Sequence, residues 1–171
     1  MNLTAVDLGG HLEQELEVIR PRAAERQLEF DVTMPGDIPP VTADPERLHQ
    51  VIDNLLDNAV KYAPEGSRIS VSARSTGVNV ETVISNHAGD QKPDAERMFE
   101  RFYRADRRRS ASASGAGLGL SISRELVIAM KGRLWADVDG SNLLRVHLVL
   151  PAASGPDMTP APAPQRLPMP A

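Results

Sequence analysis

Residues 48–62 constrain the fold of this chain more than any other stretch. Their apolar side chains recur at helical spacing and predict one buried face of an amphipathic helix. That face consists of Leu48, Val51, Ile52, Leu55, Leu56, Ala59 and Val60. Asp44 before Pro45 indicates an N-cap followed by proline in the first turn, and residues 63–66 (Ala-Pro-Glu-Gly) end the helix.

Two asparagines lie at the edge of this apolar face. Asn54 and Asn58 are four residues apart, so one side chain lies a turn above the other. Asparagine is a poor residue for a helix interior because its side chain competes for backbone hydrogen bonds. The pair therefore indicates a ligand on that face, although two solvated amides would give the same pattern.

Composition excludes several classes of protein. The chain has 171 residues, of which 41% are apolar, enough for one domain with a real core. Its net charge of −4 argues against a nucleic-acid binder, and it has no cysteine for a disulfide or a thiol site. No apolar run approaches the roughly 20 residues of a membrane span, and the first residues do not read as a signal peptide. We expect a cytoplasmic protein with no membrane contact of its own.

The remaining pattern predicts an α+β fold, a two-layer sandwich with helices over one face of a mixed sheet. Asp7 is expected to cap a first helix that Pro21 kinks or ends. Asp94 is expected to cap a short helix containing Met98, Phe99 and Phe102. The other predicted elements are a strand at 28–32, a loop at 34–40, hairpins at 69–84 and 134–150, and a helix at 121–130 whose buried side holds Ile122, ended by Lys131-Gly132.

A glycine-rich run opens the last predicted helix. Residues 115–120 read Gly-Ala-Gly-Leu-Gly-Leu. Glycines let the backbone approach phosphates closely, and a helix N-terminus presents unpaired N–H groups to them. The run fits neither the Walker pattern nor the dinucleotide pattern, and a flexible hinge would explain it equally well alone. Together with amide oxygens from Asn54 and Asn58, which suit a hard cation, it predicts a Mg²⁺–nucleotide site.

These motifs carry a family resemblance. Residues 54–62 resemble the N box of sensor histidine kinases, residues 99–104 (Phe-Glu-Arg-Phe-Tyr-Arg) their F box, and residues 115–120 their second glycine box. Order and spacing match as well, over about residues 3–151. The resemblance implies the Bergerat fold, the ATP-binding sandwich shared with gyrase, Hsp90 and MutL. It implies one catalytic domain over 1–151 with a mobile lid at about 91–116. The Pro/Ala-rich composition of residues 152–171 separately predicts a disordered tail.

The resemblance also implies roles for individual residues. It implies that Asn58 coordinates Mg²⁺, that Asn54 supports it in catalysis, and that Lys61 and Tyr62 reach the phosphates or the nucleotide. The residues expected to surround the phosphates are Gly115, Gly117, Leu118, Gly119 and Leu120. One arginine of the basic cluster Arg101, Arg104, Arg107, Arg108 and Arg109 is expected to stabilise the transferring phosphoryl group, with Arg104 assigned to the nucleotide. A solvated lid would explain that cluster too.

The base-reading loop departs from the family pattern. The first glycine box normally reads Asp-x-Gly-x-Gly after a strand, whereas residues 86–90 read Asn-His-Ala-Gly-Asp. Asn86 can still accept a hydrogen bond from the adenine amino group, but without charge assistance. Gly89 is expected to compensate through a shifted turn. The Gly-Thr usual before the last strand is also replaced, by Leu143-Leu144. The sequence thus leaves weakened adenine binding open, with a loss of roughly 1–2 kcal/mol.

The second departure concerns histidines. The four in the chain lack the surroundings of a phospho-accepting His. We expect His49 and His147 to be structural, His11 to be an exposed helix residue and His87 to be a loop residue. The chain is then either an excised domain or the natural ATPase half of a split kinase, and the sequence favours the second. The expected partner is a separate His-containing dimerisation protein, which passes the phosphoryl group to a response regulator. Alone, the chain is expected to be monomeric.

The leading hypothesis is therefore a histidine kinase module that binds Mg²⁺ and ATP and donates the γ-phosphoryl group to a histidine on that partner. A degenerate docking module without catalysis is the first alternative, favoured by residues 86–90. A serine kinase of the anti-sigma-factor type is the second, although the run at 99–104 favours the histidine kinases.

Overall fold

The computed structural model describes residues 1–90, 92–104 and 117–153, and these residues form two layers around one core. The helices are α1 (Leu8–Glu25), α2 (Pro45–Tyr62) and α3 (Gly119–Ala129), with a short 3-10 helix at Arg97–Phe99. The strands are β1 (Thr4–Val6), β2 (Glu29–Thr33), β3 (Val41–Ala43), β4 (Arg68–Ser75), β5 (Asn79–His87), β6 (Arg133–Val138) and β7 (Leu143–Pro151).

The main sheet is mixed, and helices cover one of its faces. Its strand order is β2-β4-β5-β7-β6, with β2 parallel to β4 and the other pairs antiparallel. Alternate residues of β5, such as Val80 and Ile84, are buried against the helices, as period-two side-chain geometry requires. The predicted α+β sandwich is therefore confirmed. Strands β1 and β3 form a second, antiparallel sheet that was not predicted, since three residues are too few to show alternation.

Helix α2 forms as its sequence predicts. The Asp44 carboxylate accepts a hydrogen bond from the Arg47 N–H at 3.2 Å, Pro45 is the first helical residue, and the helix ends before Pro64. All seven apolar residues of the predicted face are at most 3% exposed. Because burial of one such side chain is worth about 1.5–3 kcal/mol, this face holds α2 firmly against the core.

Helix α1 excludes one of the two alternatives expected for Pro21 and corrects the expectation for His11. Asp7 caps it by accepting from the Gly10 N–H at 3.0 Å, as predicted. However, the helix does not end at Pro21 but continues to Glu25, because apolar residues on both sides of the proline, including Ala23, remain buried in the core. His11 is not exposed: only 1% of its surface is accessible, and its Nδ1 lies 3.0 Å from the Asp7 carbonyl oxygen.

Strand β5 and helix α3 both extend further than predicted. Asn86 and His87 belong to β5 rather than to a loop, since the strand stays paired with β7 as far as His87. Helix α3 begins two residues early, at Gly119, and its Ile122 is 37% exposed rather than buried. The left-handed residue after α3 is Lys131, with φ of +61°, so Gly132 does not supply the helix-ending conformation.

Two further boundaries differ from expectation. The Asp94 carboxylate accepts from two backbone N–H groups and starts the 3-10 helix, in which Met98 and Phe99 are buried, but Phe102 lies beyond it and is 71% exposed. At the other end, the Ala152 and Ala153 N–H groups donate to the carbonyls of Val78 and Pro40, so the predicted tail does not begin at 152. Residues 154–171, and the lid positions 91 and 105–116, lie outside the described residues.

An ion-pair network on the outer sheet face gives a prediction for acid stability. Hydrogen bonds from Arg74 and, more weakly, from His147 hold the pKa of Glu81 below its ordinary 4.5 although burial opposes them. Because the folded-state pKa is depressed, this stabilisation is complete above pH 4.5 and is lost as the pH falls through the lower folded value. Urea denaturation should therefore find Glu81→Gln less stable than the parent at pH 7, and the difference should shrink towards pH 3. A constant difference, or the same trend for exposed Glu17→Gln, would contradict this.

Candidate functional site

The edge of α2 that carries the asparagines faces the start of α3. The Asn54 side-chain amide donates to the Gly119 carbonyl at 3.4 Å and to the Ser123 hydroxyl at 3.1 Å. A Cβ on Gly119 would stand 3.4 Å from the Asn54 amide oxygen. The asparagine edge of α2 and the glycine-rich run, which the sequence analysis assigned to one site, therefore lie in direct contact. Ser123, which was not predicted, fixes the orientation of the Asn54 amide.

Gly117 packs against the backbone of the preceding segment. Its φ is +70°, and a Cβ there would lie 3.0 Å from both the Phe102 Cα and the Tyr103 carbonyl oxygen. The Phe102 N–H also donates to the Gly117 carbonyl at 3.1 Å. Conformation and space thus both require glycine. Gly115, the other predicted glycine of this run, lies outside the described residues.

The N-terminus of α3 has no side-chain cap. Its N-cap residue is Leu118, which offers no acceptor, and the Ser121 hydroxyl turns away to donate to the Leu118 carbonyl at 2.9 Å. Leu118, Gly119 and Leu120 are half-buried. Backbone N–H groups at the start of an 11-residue helix carry partial positive charge, so this end of α3 is suited to receive an anion.

Asn58 lies one helical turn after Asn54 on the same edge of α2. It is half-buried, and no hydrogen bond joins its side chain to any residue in the described part of the chain. Tyr62, one turn further on, is 47% exposed. Within the described residues no group of three or more His, Cys, Asp or Glu side chains could hold a metal. The donor set here is therefore an amide oxygen, which fits a hard cation that takes its other ligands from phosphate and water.

Lys61 is held by a carboxylate that the sequence analysis did not single out. Its ammonium lies 2.8 Å from Oδ2 of Asp57, and Arg22 of α1 lies 2.6 Å from Oδ1 of the same side chain. Burial works against the charged carboxylate, but hydrogen bonds from Lys61 and Arg22 outweigh it and lower the pKa of Asp57. The spacing of Asp57 and Lys61, four residues apart in a helix, is the signal that could have revealed this pair.

The predicted base-reading residues lie against the far end of α2. Asn86 is 3% exposed, and its amide nitrogen donates to the His87 carbonyl at 2.9 Å, which leaves the amide oxygen as its remaining acceptor. Gly89 has φ of +66°, and a Cβ there would lie 3.7 Å from the Pro64 ring. The Asn142 amide donates to the Gly89 carbonyl at 3.2 Å. Asn142 was missed, because nothing in the sequence connects the last hairpin to this loop.

The predicted arginine cluster is divided in the structure. Arg101 forms an ion pair with Glu125 of α3 at 2.9 Å. Arg104 is half-buried and is the last described residue before the gap at 105–116. The other three arginines of the cluster lie outside the described residues.

One edge of α2 thus connects two glycine loops. Asn54, midway along α2, contacts the start of α3, and Pro64, just beyond the C-terminus of α2, lies beside Gly89. Asn54 and Tyr62 are separated by about 12 Å along the helix axis, given 1.5 Å per residue. Asn58 and Lys61 lie between them, so the polar edge of α2 joins the uncapped start of α3 to the buried Asn86 amide on the sheet.

This fold and this arrangement define a class of ATPase domain. The family of histidine kinase-, DNA gyrase B- and HSP90-like ATPases matches residues 43–154, which include α2, the asparagine pair and both glycine loops. The chain therefore belongs to this family, and among its members it resembles the catalytic domains of two-component sensor histidine kinases.

Relatives by sequence are sensor kinases. The chain is 36% identical over 135 residues to the adaptive-response sensory kinase SasA of Nostoc sp., covering 78% of this chain and 33% of that protein. It is 39% identical over 119 residues to the sensor histidine kinase WalK of Bacillus subtilis, covering 66% of this chain and 19% of the relative. The chain thus spans about a third or less of the length of these curated relatives.

Solved structures agree with the fold. The mycobacterial sensor histidine kinase MprB is 29% identical with a TM-score of 0.73, over 88% of this chain and 98% of the other. The kinase ShkA, solved in complex with AMPPNP, is 30% identical with a TM-score of 0.76, over 91% of this chain and 32% of the other. The catalytic domain of ThkA, at 22% identity and a TM-score of 0.76, supports the fold alone. Among the described residues, no helix is both long and apolar enough to cross a bilayer.

Proposed function

We propose that this chain is the ATP-binding catalytic module of a two-component histidine kinase. It binds ATP and Mg²⁺ along the polar edge of α2 and donates the γ-phosphoryl group to a histidine. The observation that carries the proposal is the contact between Asn54 and Gly119, which brings the asparagine edge of α2 to the uncapped start of α3. Asn58 lies one turn further along that edge, and its amide has no hydrogen-bond partner among the described residues.

Each residue has a role in this proposal. Asn58 holds Mg²⁺ through its amide oxygen, and the bound ion neutralises phosphate charge. Asn54 supports the site by fixing the start of α3. Lys61 and Tyr62 reach the phosphates or the nucleotide, and Arg104 contacts the nucleotide beside the gap. The backbone at Gly115, Gly117, Leu118, Gly119 and Leu120 surrounds the phosphates.

The base is read at the other end of α2. Asn86 accepts from the adenine amino group through its amide oxygen, since its nitrogen is committed to the His87 carbonyl. Gly89 supplies the left-handed turn that the family pattern places at neighbouring positions. Because Asn86 is neutral, we expect ATP to bind more weakly than it would to a carboxylate at this position.

The acceptor histidine lies outside this chain. All four of its histidines are in the described residues. His11 is buried, His49 contacts Glu15 at 2.6 Å, and His147 lies between two carboxylates. His87 is exposed and is the last residue of β5. Its side chain lies on the sheet face opposite to that of Asn86, the proposed base-reading residue, so it does not face the nucleotide site. We therefore propose a separate His-containing dimerisation protein as partner, which passes the phosphoryl group to a response regulator.

Phosphotransfer is tested with labelled ATP and Mg²⁺, with and without a candidate His-containing partner. Label that appears on the partner, is labile to acid and requires Asn58 is the expected result. Label that is stable to acid would support a serine kinase instead. Failure to bind nucleotide at millimolar ATP in calorimetry would contradict the proposal and leave the docking module, which the replaced glycines of residues 86–90 favour.

Restoring the family carboxylate should strengthen ATP binding. Asn86→Asp adds charge to the bond with the adenine amino group, which is worth roughly 1–2 kcal/mol, so the Kd for ATP should fall about tenfold. Without nucleotide the variant should be less stable, since a buried carboxylate then lacks a partner. Calorimetry with ATP and with ITP, whose base has oxygen in place of the amino group, distinguishes the cause. A gain shared by ITP, or by Asn79→Asp at the start of β5, would show that Asn86 does not read the base.

A further inference from the structure

Asp57 binds two cations through separate oxygens. Lys61, on the next turn of α2, occupies Oδ2, and Arg22, on α1, occupies Oδ1. We call these three residues the Asp57 triad. The Asp57 side chain is only 24% exposed, whereas that of Arg22 is 51% exposed. The carboxylate therefore depends on its partners for charge compensation, and Arg22 is anchored to it from the neighbouring helix.

Binding of a triphosphate requires a change within this triad. If Lys61 contacts phosphate, as the proposed function holds, its ammonium has to leave Asp57. Without Arg22, the Asp57 carboxylate would then have no cation beside it. It would be poorly hydrated and adjacent in sequence to Asn58, and it would repel the incoming phosphates. Because Arg22 uses the other oxygen, it can stay in place when Lys61 leaves.

The backbone beneath Lys61 is fixed independently of the triad. The Arg26 guanidinium, at the end of α1, donates to the carbonyls of Val60, Lys61 and Ala63, the last two at 3.0 and 2.8 Å. Three backbone acceptors at the C-terminus of α2 are thereby satisfied. Lys61 can therefore leave Asp57 by rotation of its side chain alone, while Arg26 keeps the end of α2 hydrogen-bonded to α1.

We infer that Arg22 is a positioning residue for nucleotide binding. It holds Asp57 in the nucleotide-bound state and so releases Lys61 to the phosphates. The inference rests on the proposed function, and it assigns a role to a residue of α1 outside the matched family region, which begins at residue 43. Arg22 acts only through Asp57, so its importance should vanish when Asp57 carries no charge.

A double-mutant cycle on the full chain tests this coupling. Calorimetry with Mg²⁺ and ATP is carried out on the parent, Arg22→Gln, Asp57→Asn and the double variant. We expect Arg22→Gln to weaken ATP binding about fivefold and Asp57→Asn to bind at least as tightly as the parent. The double variant should match Asp57→Asn within a factor of two. Arg22→Lys, which keeps the charge, should restore most of the affinity.

Two controls separate this role from structural or general electrostatic effects. Arg20 is on the same helix as Arg22 and forms an exposed ion pair with Glu17. Arg20→Gln removes one positive charge, as Arg22→Gln does, and should leave the affinity for ATP within twofold of that of the parent. Melting temperatures should place Arg22→Gln close to Arg20→Gln, because both arginines are about half exposed.

Either of two results would overturn the inference. Unchanged affinity in Arg22→Gln would show that Asp57 needs no second cation. An equal loss from Arg22→Gln in both backgrounds would show a long-range effect of charge without coupling. If the parent binds ATP normally but Arg22 and Asp57 show no coupling, only this inference is contradicted. If the parent does not bind ATP, the proposed function is contradicted as well.

Discussion

Replacing Asn58 by alanine is expected to lower the kcat/KM of phosphoryl transfer by about 100-fold or more, with no loss of stability. The amide is the one protein oxygen that we propose as a Mg²⁺ ligand, and loss of a single group that stabilises transferring charge typically costs a factor of 10²–10³. The side chain has no hydrogen-bond partner in the described part of the chain, so its removal leaves no polar group unpaired. Alanine is also the better helix former, by up to about 0.7 kcal/mol.

This combination of lost activity and retained stability identifies a functional residue. The measurement is label transfer to the partner at several Mg²⁺ concentrations, together with the melting temperature. Asn79→Ala, a change of the same kind at the start of β5, is the matched control and should behave as the parent. If Asn58→Ala transferred phosphate at the parental rate, the metal assignment would be wrong. If it unfolded, the side chain would be structural.

Gly132→Ala is expected to destabilise the domain by about 2–3 kcal/mol. A Cβ at this position would lie 2.4 Å from the Val149 carbonyl oxygen, 2.9 Å from Leu150 Cδ2 and 3.0 Å from Val127 Cγ1. The carbonyl belongs to β7 in the middle of the sheet, where Arg133 pairs with Val149, so it cannot move without breaking the pairing of β6. Overpacking of this kind usually costs about 1–3 kcal/mol, and a contact with backbone is at the upper end.

Chemical denaturation measures this effect, and the chain provides a matched control. Gly140, in the turn between β6 and β7, has nothing within 4 Å of its Cβ position and no left-handed φ. Gly140→Ala should therefore change the free energy of unfolding by less than about 0.5 kcal/mol. Equal effects of the two substitutions would contradict the close packing of Gly132 against β7. A stable Gly132→Ala variant would contradict it too.

The sequence predicted the parts of the fold that have long, regular patterns. Helix α2 has an N-cap, a first-turn proline, seven apolar positions and a stop signal, and each acts locally. The hairpins β4–β5 and β6–β7 have alternation and turn residues, which also act locally. Since the sandwich follows from how these elements bury their apolar faces, local signals were enough to predict its architecture.

The errors concern contacts between distant residues. His11 is buried because the face of α1 that carries it packs against the core, and the identity of one polar residue does not reveal this. The buried start of β7 keeps Asn86 in the sheet, although asparagine is a frequent loop residue. Pro21 is tolerated because tertiary packing outweighs one lost helical hydrogen bond.

The candidate site divides in the same way. Motif spacing connected Asn54 with Gly119, but it could not show that Ser123 and Asn142 hold the two glycine loops or that Asp57 holds Lys61. These supporting residues lie in other elements or between motif positions, and polar residues of these types are also common on solvated surfaces. Only the packing of α1, α2 and α3 brings them to the site.

A chemical-shift map of the backbone amides during titration with ATP and Mg²⁺ tests whether the nucleotide binds along the polar edge of α2 and between the two glycine loops. We expect the largest changes at residues 54–66, 86–89 and 117–121, the polar edge of α2 and the two glycine loops. The amides of the β4–β5 turn, residues 76–78, should barely move, since they lie at the opposite end of β5 from Asn86 and His87. Saturable changes confined to the three segments would support the account. Changes elsewhere, or none at millimolar ATP, would contradict it.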